Sequence, residues 1–104
     1  MVNDALSTAP SGRCVLTIFD HLAWEDQKHL PMLQEKINDY LGFIRSGQLL
    51  QSRPDVRGRE LEIRVICQVY PRSEVAVRFL GIARETLRRA NVHFSWMELP
   101  KTQE

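Results

Sequence analysis

Ionisable side chains crowd residues 20–29: Asp20, His21, Glu25, Asp26 and His29. Glu25 and His29 are four apart, so on a helix they share a face. That spacing lets two side chains grip one metal ion or pass a proton between them. With His21 as a third donor, the cluster reads as a metal site or an acid–base pair. Spacing fixes no third ligand, however, and carboxylates at a helix start are what capping and the helix dipole already demand. Charged clusters that only hold a fold together are commoner than functional ones.

A second pair, Cys67 and His93, would combine a thiol nucleophile with a base. Strand alternation separates them: if Val65 and Phe94 face a core, Cys67 does too and His93 faces away. Cys67 therefore reads as an inert core thiol. Cys14 and Cys67 are the only cysteines. Each stands among apolar residues on an expected strand, which points to free thiols in a reducing compartment. A glycine-rich phosphate loop, a Cys/His zinc spacing and a Gly-x-Ser-x-Gly elbow are all missing, so no cofactor is implied.

Basic residues raise a nucleic-acid reading. Arg53, Arg57 and Arg59 cluster in one connection, while Arg78, Arg84, Arg88 and Arg89 stud one helix. Residues 1–50 carry four Lys/Arg against six Asp/Glu, and residues 51–104 carry ten against seven. The net formal charge is only +1, too little for a dominant electrostatic footprint. Glu74–Arg78 and Glu85–Arg89 also have the four-residue spacing that pairs charges along a solvated helix. Since no aromatic platform interleaves with the arginines, nucleic acid is disfavoured as the partner.

The elements that position these groups follow from periodicity. A hairpin is expected from Asp4 to Thr8 and Cys14 to Phe19, reversed at Ala9-Pro10-Ser11-Gly12. Helix one, capped by Asp20 or Asp26 and with Pro31 in its first turn, carries Leu30, Leu33, Ile37, Tyr40, Leu41 and Ile44 on one apolar arc and stops at Ser46-Gly47. A connection at 48–59 tucks Leu49 and Leu50 inward. The next strand, Leu61 to Tyr70, alternates cleanly, as a sheet covered on one face only should. Ser73 caps helix two, whose stripe is Ala76, Phe79, Leu80, Ala83 and Leu87, and Asn91 ends it. A last strand runs from Val92 to Met97.

The expected fold is thus α+β, a two-layer sandwich in the order β-β-α-β-α-β, with a mixed four-stranded sheet and two helices on one face. The chain of 104 residues suits one domain, with 1–3 and 100–104 frayed. An apolar content of 43% and a charged content of 26% fit a globular chain, and no segment is long and apolar enough for a membrane span. With no signal peptide at the N-terminus, the cytoplasm is the expected location.

DHLAW at 20–24, LQEKINDYL at 33–41 and FIRSGQL at 43–49, followed by a proline and glycine loop before an alternating strand, resemble a family of small bacterial proteins known only as a domain of unknown function. The resemblance runs from about Asp4 to Trp96. Pro31 departs from the pattern, in which the helix continues through leucines. The family implies no reaction, ligand or catalytic residue.

On the uncovered sheet face, polar residues are interrupted by Val15, Phe19, Ile66, Tyr70 and Met97. If these merge across adjacent strands they form a contact patch. A non-catalytic interaction or accessory module, working as a homodimer through that patch, is the leading expectation, since two-fold dimers are the commonest oligomers. A small metal-dependent or acid–base enzyme and a weak nucleic-acid binder are the alternatives.

Overall fold

The computed structural model describes residues 5–20, 24 and 28–99. The strands are β1 (Ala5–Thr8), β2 (Cys14–Asp20), β3 (Leu61–Cys67) and β4 (Val92–Glu98). The helices are α1 (His29–Arg45), α2 (Gln48–Ser52) and α3 (Glu74–Arg89), and a 3-10 turn spans Pro54–Val56. One mixed sheet has the order β1-β2-β3-β4, antiparallel between β1 and β2 and parallel thereafter. The architecture is the expected α+β one, with α2 and the 3-10 turn added inside the 48–59 connection. The fraying expected at 1–3 and 100–104 lies outside the described residues.

Local chemistry sets the boundaries. Gly12, at a φ of 93°, donates its N–H to the Ala9 carbonyl at 2.8 Å and reverses the hairpin in a conformation that glycine adopts without penalty. In α1, Pro31 lies in the first turn, where no helical hydrogen bond is lost. The residue capping α1 is Lys28, which makes no side-chain cap bond, so the expected cap by Asp20 is corrected; Asp26 lies outside the described residues. Gly47, at a φ of 86°, ends the helix, as expected. The Ser73 hydroxyl accepts the Ala76 N–H at 3.1 Å and starts α3.

α1 and α3 lie on one sheet face, as right-handed crossovers between strands whose order advances in one direction require. Leu33 and Ile37 of α1 and Leu80 and Leu87 of α3 close on Leu16, Ile18, Ile63, Val65, Cys67, Val92 and Phe94, which alternate along their strands. A smaller core joins Cys14, Leu49 and Val56, with Phe43 and Leu50 packed against it. Phe43 falls off the main apolar arc of α1 because it serves this second core.

β3 stops at Cys67, three residues short of the expected Tyr70. Beyond Cys67 the ladder gives out: Gln68 still donates to the Asp20 carbonyl of β2 at 2.8 Å, but the Val69 carbonyl accepts the Trp24 indole N–H at 2.6 Å. Pro71, with no N–H to donate, then forecloses a return to the ladder. Among the described residues no helix is long and apolar enough to cross a membrane.

Candidate functional site

The sheet face turned away from the helices carries three rows in register. Val15, Glu62 and His93 form the first, Thr17, Arg64 and Ser95 the second, and Phe19, Ile66 and Met97 the third. Parallel strands place all three members of a row at the same height, so the third row lies at the C-terminal ends of β2, β3 and β4.

The first two rows close on themselves around Glu62. Its Oε1 accepts from Arg13 Nη1 at 3.0 Å, and its Oε2 accepts from Arg64 Nε at 2.9 Å and from Ser95 Oγ at 2.6 Å. Burial pushes this carboxyl up, but the bonds from Ser95, Arg13 and Arg64 outweigh it and hold Glu62 below the ordinary carboxylate range. The side chain is therefore an anion with three strong donors already in place, not a base waiting for a proton. Arg13 also reaches Glu60 at 3.1 Å, and His93 stands 3.5 Å from the same Glu60 oxygen. Val15 and Thr17 are buried.

The third row is different. Phe19 and Met97 are 37% and 42% exposed, with Ile66 half-buried between them. Of the five residues expected to make a contact patch, these three share one row. Val15 departs from that expectation: it lies on the correct face but is only 1% exposed. Tyr70 departs as well, lying past the end of β3, where the Arg72 guanidinium sits 5.7 Å from its ring centroid.

Two members of the ionisable cluster, Asp20 and His29, meet with their side chains buried. His29 is wholly buried, with Nε2 2.5 Å from Asp20 Oδ2 and its ring 4.0 Å from that of Trp24. Asp20 is a partner of His29. Helical counting misses this pair because one member ends a strand and the other begins a helix. His21, Glu25 and Asp26 lie outside the described residues; among those described, no three His, Cys, Asp or Glu gather as metal ligands. Cys67 lies beside Asp20 in register, and burial, with Asp20 and Glu98 adding to it, pushes its thiol up to about 12. It is protonated at neutral pH, and His93 is on the opposite face.

Arg78 pairs with Glu74 at 3.1 Å, as the spacing implies. Glu85, however, takes Arg88 at 2.8 Å, three residues on, rather than the expected Arg89. Arg84 lies over the Trp96 ring, 5.3 Å from its centroid, and Arg89 closes the last turn of α3. The four arginines thus serve several local purposes. Arg84 and Arg88 do line one cleft of about 230 Å³ beside β4.

No curated protein and no solved structure matches the chain. Residues 2–100 match a family of unknown function (DUF6572), and the chain belongs to that family.

Proposed function

We propose that the protein is a non-catalytic interaction module, working in the cytoplasm, that associates with a second copy of itself through the third row of its open sheet face. The observation that carries this reading is the alignment of Phe19, Ile66 and Met97 across three strands, with the outer two each more than a third exposed. Val69 and Leu99, which follow the ends of β3 and β4, are exposed apolar residues as well. A contiguous patch of this kind is the usual mark of a contact surface, and a two-fold dimer presents the same patch twice. An enzymatic reading draws less support, since Glu62 and His29 each engage neighbouring side chains.

Light scattering after size exclusion tests it. The expected result is a dimer mass for the wild type and a monomer mass for Ile66→Glu, with the far-UV spectrum unchanged. A wild-type chain that stays monomeric at its highest soluble concentration overturns the proposal.

A further inference from the structure

β4, seven residues long, ends the sheet. Leu99 donates its N–H to the Cys67 carbonyl at 2.7 Å. Main-chain groups of successive strand residues point to opposite sides, so the odd-numbered residues of β4 turn theirs to β3. Those of Phe94, Trp96 and Glu98 turn outward. Among the described residues, no strand pairs with them.

Natural sheets blunt such edges with proline, lysine, bulges or very short strands. VHFSWME has neither proline nor lysine, and its ladder with β3 runs unbroken from Val92 to Glu98. The opposite edge, β1, has only four residues. The cleft of about 230 Å³ lies at the β4 edge, lined by Arg84, Arg88 and Phe94 on the helix side and by Glu62, His93 and Ser95 on the open side. Arg13 and Arg88 are paired with carboxylates, whereas Arg84 stands over Trp96 and makes no salt bridge among the described residues. A guanidinium without a paired carboxylate among the described residues therefore lines the cleft at the β4 edge.

We infer that the β4 edge is a docking site for an extended, acidic segment of another protein, which joins the sheet as a further strand beside β4. Outward main-chain groups supply the pairing, as in other strand additions, and Arg84 supplies the preference for acid. A second copy suits this edge less well, because a two-fold about β4 would bring two Arg84 guanidinia, neither with a paired carboxylate among the described residues, to the same edge. This docking site is separate from the self-association proposed above, and either can fail without the other.

The test uses the full chain and an array of peptides matched in length to the seven residues of β4. Glutamate alternates in them with valine, threonine, isoleucine or tyrosine, and lysine replaces glutamate in the controls. Acidic peptides are expected to bind at least ~10-fold tighter than their lysine counterparts, with the margin shrinking as salt is added. The amide signals of Phe94, Trp96 and Glu98 should shift on titration. Glu98→Pro removes one outward donor and should weaken binding at least ~10-fold, and Arg84→Glu should abolish the preference for acid. If Glu98→Pro does not fold, peptides with alternate amides N-methylated should lose binding to the wild type. Four results overturn the inference: no acidic preference; binding indifferent to both Glu98→Pro and N-methylation; a wild-type monomer in which those three amides already resist exchange, which would mean the chain's own ends fill the edge; and a dimer dissolved by Glu98→Pro but not by Ile66→Glu, which would mean a second copy fills it.

Discussion

The two faces of β3 reach the same dryness by opposite means. Toward the helices, Ile63, Val65 and Cys67 are wholly buried against apolar side chains of α1 and α3. Toward the open side, Glu62 is only 4% exposed, yet it is a carboxylate enclosed by Arg13, Arg64 and Ser95. The first kind of burial is non-directional, so its strength scales with area and tolerates modest repacking. The second depends on each partner being in place, because a buried charge that loses its donors costs far more than the intact cluster contributes. One strand therefore carries a core on one side and a pH-sensitive clasp on the other, and its last open-face residue, Ile66, belongs to neither.

The comparison is tested hardest on the helix side. Leu80→Ala removes a fully buried side chain from the main core and should cost about 3 kcal/mol, read as a lower urea midpoint with unchanged slope. A loss under about 1 kcal/mol would mean that α3 is not packed as described.

The clasp should respond less and show a signature in acid. Glu62→Gln is expected to cost about 1–2 kcal/mol at neutral pH; the figure is modest because the Arg13 and Arg64 side chains are 32% and 36% exposed, so water relieves them. The folded-state pKa of Glu62 lies below its unfolded value. Its contribution is therefore complete above the unfolded value and disappears as the pH falls through the folded one. Stability curves of wild type and Glu62→Gln should converge on acidification, with the wild type falling more steeply. Parallel curves would show that the carboxylate is not held as an anion by its donors.

The smallest effect on folding belongs to the third row. Ile66→Glu should change unfolding free energy by less than about 1 kcal/mol, since Ile66 is partly exposed and lies outside the buried core, even while it abolishes the proposed dimer. A larger loss of stability in the isolated chain would place Ile66 in the core instead and remove the distinction between the two faces.

Where one element alone decides, the residues were readable in advance. Ser73 and Gly47 mark helix ends because their capping chemistry is local, and Asn91 adopts its φ of 64° for the same reason. Alternation along β3 sorted Val65 from Arg64 and put Cys67 and His93 on opposite faces. The open face was legible as a list of residues but not as three rows, because registry between strands depends on where each crossover lets its strand begin. Val15 shows the difference: alternation puts it on the correct face, and only the folded neighbourhood determines that it is covered there. Tyr70 shows another, since the ladder gives out where the Trp24 indole takes the Val69 carbonyl, and Trp24 is remote in sequence.

By itself, the order of apolar and polar residues determined the four strands and two long helices, the one-sided sheet and which side chains of each strand share a face, because periods of two and 3.6 are properties of the backbone. Tertiary structure alone decided that Asp20 meets His29, that Arg13 reaches Glu62 across 49 residues, and that Phe19, Ile66 and Met97 line up. Those pairings depend on the relative height of packed strands and helices, which is fixed only when the whole core closes.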